Sequence, residues 1–127
     1  MRSRLLQLVT FLVVVGACST PAPARGPIEL ELDEFSIEPA ADSIAAGRVL
    51  FDVVNEGEFP HTLVLATNAG EVLYASEVVD PGGALEVELD LAPATYQLTC
   101  RIVVQLADGQ LVDHYQNGMG NTIEVKG

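Results

Sequence analysis

The sequence predicts an all-β domain, an antiparallel sandwich of seven to nine short strands, and three observations carry that expectation. Apolar and acidic residues alternate with period two at Ile28-Glu29-Leu30-Glu31-Leu32-Asp33 and again at Leu85-Glu86-Val87-Glu88-Leu89-Asp90-Leu91. Such alternation is the signature of a strand with one buried face. Turn residues recur at short intervals between the apolar runs, at Asn55-Glu56-Gly57, Asn68-Ala69-Gly70, Pro81-Gly82-Gly83 and Asp108-Gly109. Downstream of residue 27 no stretch has the apolar spacing of a helix. Short strands separated by frequent turns argue for a sandwich.

The elements follow in order. The first strand covers residues 28–33; Phe35 and Ile37 continue its apolar positions in a new phase, which predicts a bulge or bend near Asp33-Glu34. Pro39 and the Ala40-Ala41-Asp42 stretch break the run. After Gly47, residues 49–54 are β-branched and aromatic, a strand by composition. Residues 61–66 form the next, and the apolar stretch 72–79 another. Residues 85–91 alternate cleanly. Residues 96–105 and 111–115 read as the two arms of a hairpin around Asp108-Gly109. Residues 121–126 close the domain. No internal repeat is visible.

Upstream lies a different kind of sequence. Arg2 and Arg4 precede an apolar run of 11 residues, 5–15, and small residues follow. Positive, then greasy, then small is the layout of a secretory signal peptide. The run is well short of the about 20 residues a spanning helix needs. It ends in Val15-Gly16-Ala17-Cys18, which resembles the lipobox of bacterial lipoproteins. That resemblance implies diacylation of the Cys18 thiol, cleavage just before it, and a lipid-anchored protein outside the cytoplasm, in the periplasm or at the cell surface. The chain then divides into a signal at 1–17, a tether at 18–27 and one domain at 28–127. Pro21, Pro23 and Pro27 favour an extended, weakly ordered tether.

Without residues 1–17 the chain holds four Lys and Arg against 18 Asp and Glu, a formal charge of −14. Such a surface is a poor partner for nucleic acid. It suits a basic protein partner, whose encounter the charge would speed; solubility or a salty habitat explains the acidity equally well.

Chemistry-bearing residues are few. With Met1 and Cys18 set aside, His61, Cys100, His114 and Met119 are every histidine, cysteine and methionine in the chain. One thiolate, two imidazoles and one thioether are the donors of a blue-copper site. A lone thiol in an exported domain lacks a disulfide partner within the chain, and metal ligation accounts for it. Taken singly each residue has a plainer reading: Cys100 as a buried thiol, His61 and His114 as loop or surface histidines, Met119 as a core filler. Their coincidence favours a metal.

Three stretches make the comparison specific. Asn55-Glu56-Gly57-Glu58-Phe59-Pro60-His61, Tyr96-Gln97-Leu98-Thr99-Cys100 and His114-Tyr115-Gln116-Asn117-Gly118-Met119 resemble the ligand-bearing segments of cupredoxins, the plastocyanin and azurin class. The order His, Cys, His, Met is that family's order. The resemblance implies a Greek-key sandwich holding one copper ion on His61, Cys100, His114 and Met119. From their position along the chain, Asn55 and Thr62 are candidates to hydrogen-bond the ligand groups. It further implies a monomeric one-electron carrier, not an enzyme. Its partner would be a cytochrome or a membrane respiratory or photosynthetic complex. Copper storage, sensing or delivery is an alternative, as is a metal-free interaction module on the same scaffold. One departure stands out. Thirteen residues separate Cys100 from His114, where small cupredoxins have two to four. The hairpin within that interval is expected to fold back and return His114 beside Cys100, altering how a partner reaches the exposed histidine edge. Multicopper enzymes need further copper centres, and two histidines cannot build a Ser-His-Asp arrangement as well. No phosphate-cradling glycine loop follows a strand.

Overall fold

A computed structural model describes residues 16–17 and 20–127. The signal peptide proper and Cys18 fall outside the described residues. In chain order the strands are β1 (Ile28–Asp33), β2 (Ser36–Pro39), β3 (Ser43–Ala45), β4 (Gly47–Asn55), β5 (Val64–Thr67) and β6 (Val72–Ala75). They continue with β7 (Ala84–Leu91), β8 (Ala94–Thr99), β9 (Val103–Gln105), β10 (Leu111–Asp113) and β11 (Gly120–Lys126). The described residues contain no helix.

The period-two pattern of β1 is realised directly: Ile28, Leu30 and Leu32 are buried and the acidic residues between them face solvent. β4 and β11 follow the same logic, burying Val49, Phe51 and Val53 on one side and Ile123 and Val125 on the other. Two sheets result, one ordered β2-β1-β4-β7 and the other β3-β11-β8-β5-β6. Their inner faces meet through Leu30, Leu32, Phe51, Val53, Leu65, Leu98 and Ile123, all without solvent exposure. Each such side chain contributes about 1.5–3 kcal/mol of burial. β9 and β10 stand apart as a two-stranded hairpin.

The sandwich is the expected one, but the described residues form eleven strands rather than seven to nine, because the runs around Asp33-Glu34 and Cys100 are each split in two and β3 is added. Its sheets are mixed: β1 pairs parallel with β4, and β3 with β11. Parallel neighbours need a crossover between them. Here β2 turns back along β1, the chain crosses to the edge of the second sheet as β3, and it returns as β4. The phase change near Asp33-Glu34 is a tight turn rather than a bulge, because β2 pairs antiparallel with β1 in the register Asp33↔Ser36. Phe35 in that turn has a φ of 62°. The run 96–105 is broken between β8 and β9, where Cys100 leaves the sheet, and the run 61–66 begins as a strand only at Val64. Ala24, placed in the tether by its sequence, exchanges backbone hydrogen bonds with Ser43 and Ala45 at 3.0 and 2.9 Å.

Candidate metal centre

His61, Cys100 and His114 arrive at one end of the sandwich from three different connections. His61 follows β4 through the segment 56–60. Asn55, the last residue of β4, organises that segment: its amide donates to the carbonyls of Phe59 and Val79, both at 2.8 Å, and its side-chain oxygen accepts from the Gly57 N–H at 2.9 Å. His61 itself is fixed by a pair of backbone hydrogen bonds with Val79, at 3.0 and 2.8 Å. Thr62, next along, donates its N–H to the Cys100 sulfur at 3.4 Å and places its hydroxyl 3.7 Å from the same atom.

Cys100 lies immediately beyond β8 and is fully buried. The interval to His114 forms the β9–β10 hairpin, paired from Val103↔Asp113 to Gln105↔Leu111. Gly109 takes the left-handed position in its tip, with φ 87°. At the base the His114 N–H donates to the Ile102 carbonyl at 3.2 Å, and the Arg101 guanidinium lies 3.6 Å from the centre of the Tyr115 ring. The long interval therefore does return His114 beside Cys100.

The residues between His114 and Met119 make a closed turn. Asp113 accepts from the backbone of Gln116 and Asn117, Gly118 adopts a φ of 94°, and the Met119 N–H donates back to the His114 carbonyl at 2.9 Å. Only glycine takes that backbone conformation at little cost, which explains the glycine before the methionine. Met119 is completely buried, and its carbonyl accepts from the Cys100 N–H at 3.2 Å. Its main chain thus joins the cysteine and histidine arms.

The three soft donors converge. His61 Nδ1 and His114 Nδ1 are 3.0 Å apart, and each lies 4.0 and 3.9 Å, respectively, from Cys100 Sγ. A first-row ion bonds imidazole nitrogen at about 2.0–2.1 Å and thiolate at about 2.3 Å. An N–ion–S pair therefore spans at most about 4.4 Å and an N–ion–N pair about 4.2 Å. All three observed separations are shorter, so one ion reaches the whole set. Thiolate with two imidazoles, buried and without a carboxylate among the three, selects copper over hard cations.

Burial lowers the pKa of both imidazoles. For His61 the proximity of His114 acts in the same direction, and Glu34 and Asp33 oppose it; for His114 the opposing carboxylates are Glu34 and Asp113. Both rings are thereby kept neutral, with lone pairs available for a metal. Glu34 comes from the β1–β2 turn. Burial raises its pKa, but hydrogen bonding with Asp33 and the N–H groups of Phe59 and Glu58 outweighs that and leaves it lowered. It is ionised.

Among solved structures the chain is similar to dithionite-reduced auracyanin from the photosynthetic bacterium Roseiflexus castenholzii, with a TM-score of 0.59 and 18% identity over 82% of this chain and 99% of that one. Auracyanin B gives 0.58 and 20%, covering 86% and 94% of the two chains. Auracyanin A, a "blue" copper protein from Chloroflexus aurantiacus, gives 0.55 and 16%, covering 80% and 100%. This is the cupredoxin fold. No family model matches the sequence and no curated relative matches it.

Within that cupredoxin frame one expectation is corrected. The resemblance implied an exposed histidine edge, but His114 has no solvent exposure. Phe35 and Phe59 both stand edge-on against its ring, with centroids 5.5 and 6.1 Å away. Neither aromatic, nor Glu34, was singled out by sequence. The phase break at Phe35, an apolar side chain in an acidic turn, was the one signal available.

Proposed function

We propose that this chain is a mononuclear copper protein that carries single electrons, in which His61, Cys100, His114 and Met119 would hold the ion. The observation that carries the reading is the convergence of one thiolate and two neutral imidazoles in a buried cluster whose ligand atoms all lie within 4.8 Å of one another. When bound, copper supplies a Cu(I)/Cu(II) couple at potentials proteins can tune. The chain's own part is to hold the donors still. Backbone hydrogen bonds fix His61, Cys100, His114 and Met119, so that little rearrangement accompanies a change of charge. Auracyanin A, whose fold this chain shares, is itself a blue copper protein.

The same reading places the domain outside the cytoplasm, monomeric, lipid-anchored through Cys18 and working with a redox partner protein. The hydrophobic leader and lipobox support the anchor; the charge of the chain supports a basic partner. Electron transfer is favoured over storage or delivery of copper by the burial of both imidazoles and by the pinned base of the β9–β10 hairpin, which hold the donors in place.

The deciding experiment is an optical titration of the purified protein with Cu(II). An intense thiolate-to-copper band that saturates at one equivalent and is missing in Cys100→Ser is the expected result. A protein that stays colourless with Cu(II) yet binds Cu(I) would move the reading to copper handling. A protein that binds neither is an interaction module on a cupredoxin scaffold.

A further inference from the structure

The β1–β2 turn was not expected to contribute to the centre, yet it reaches the back of the His61 ring. His61 directs Nδ1 towards Cys100 and His114, and its Nε2 is buried without a hydrogen-bond partner. Glu34 Oε1 stands 3.7 Å from that nitrogen. The oxygen is held in place, because it accepts from the Glu58 N–H at 2.7 Å and from the Phe59 N–H at 3.1 Å. Those donors belong to the segment that leads into His61, so the carboxylate and the histidine are fixed relative to each other.

Gly57 supplies a second, independent observation. A Cβ at this position would collide with Glu34 Oε1 and lie 2.9 Å from His61 Nε2. Gly57 is not one of the glycines with a left-handed backbone. Its lack of a side chain serves clearance: it keeps open the gap across which Glu34 faces the imidazole.

We infer that Glu34 is a positioning residue for His61: its fixed negative charge, 3.7 Å from Nε2, stands behind the metal-facing ring and favours the proton on that nitrogen. This rests on the copper reading. A carboxylate behind a ligating imidazole fixes its tautomer and raises its basicity. Nδ1 is left free for the metal, and the more highly charged oxidised state is favoured over the reduced one. In the metal-free protein the same arrangement makes His61 Nδ1 the acceptor in its 3.0 Å contact with His114 Nδ1, so His114 donates.

The test is Glu34→Gln in the full chain, which removes the charge and keeps a side-chain oxygen for the Glu58 and Phe59 N–H groups. Voltammetry of the copper-loaded variant is expected to show the equilibrium moved about tenfold towards Cu(I), a rise of about 59 mV for a one-electron couple. Glu58→Gln removes an exposed carboxylate from the same segment and is expected to move it less than about twofold, since exposed charges are screened. Equal shifts in the two variants would overturn the inference. Ring-nitrogen NMR of the metal-free wild type gives a readout independent of copper and of how the variant folds. A His61 proton on Nε2 is expected; a proton on Nδ1 instead would sink the role of Glu34 whatever the protein binds. A chain that binds no copper but carries the Nε2 proton overturns the copper reading and leaves the Glu34 contact supported.

Discussion

Phe35 stands edge-on to His114, with ring centroids 5.5 Å apart and planes at 78°. It does so from a strained position, because its φ of 62° is a conformation that costs a non-glycine residue about 1–2 kcal/mol. The residue is itself 37% exposed. A large apolar residue held at positive φ and half in water is poorly explained by stability. It is well explained as a cover that keeps solvent and small ligands from the second histidine.

Phe35→Gly separates the two effects. Glycine relieves the backbone while removing the cover, so folding stability is expected to stay within about 1 kcal/mol of wild type. The copper spectrum of the variant should respond to added azide or imidazole, whereas that of the wild type should not. Identical inertness in both proteins would mean that Phe59 and the surrounding segments seal the site without Phe35.

Asn55 carries the loop that delivers His61. Its side chain makes three hydrogen bonds, to Phe59, Val79 and Gly57, and the residue is fully buried. At about 1 kcal/mol each, Asn55→Ala is expected to cost about 3 kcal/mol in denaturant melts of the metal-free protein. Copper affinity should fall with it, because the same bonds hold the segment 56–60. A loss confined to stability, with copper binding intact, would show that the His61–Val79 bridge alone positions the ligand.

Thr62 tests the cysteine side. Its hydroxyl accepts from the Arg101 N–H at 3.1 Å, which leaves its own hydrogen free to point at Cys100 Sγ 3.7 Å away. Donation to a thiolate withdraws electron density from sulfur and favours Cu(I). Thr62→Val removes that donor but retains the backbone N–H, so the potential is expected to fall by about 30 mV, or roughly threefold in the Cu(I)/Cu(II) ratio. An unchanged potential, measured alongside the position of the thiolate-to-copper band, would assign the tuning to the backbone N–H alone.

How much of this was legible in the sequence depends on the range of the interactions. Residues 28–33 and 85–91 announced their strands because burial on one face writes a local period-two pattern. That His61, Cys100 and His114 would meet was legible because the domain has so few soft donors. Strand direction was not. The parallel pairing of β1 with β4 depends on where the chain crosses between sheets, and no residue of either strand encodes it. Asn55 and Thr62 could be placed near the ligands by position along the chain. Glu34 and Phe35 could not, since they reach the centre from 27 and 79 positions before His61 and His114, through a pairing visible only in the folded chain.

The buried histidines also predict how the metal-free protein responds to acid. An imidazole in the unfolded chain titrates near its ordinary value of about 6.5. Burial lowers both His61 and His114 below that. As pH falls past about 6.5, the unfolded chain therefore binds protons that the folded protein resists, and the equilibrium shifts towards unfolding. The stability due to neutral imidazoles is fully present above that pH and is lost below it, by at most about 2.7 kcal/mol per pH unit for two groups. Glu34, also lowered, adds a further loss below the ordinary range of a carboxylate. Thermal melts of the metal-free protein from pH 7.5 down to 5 should show a continuous fall in Tm. Replacing both histidines by Asn should flatten the curve over the same range. Copper held by the two imidazoles would compete with the protons, so added copper should carry the wild-type curve to lower pH. A metal-free wild type whose Tm stays constant across this range would mean that the rings accept protons without leaving the core, and that their neutrality is not what the folded state enforces.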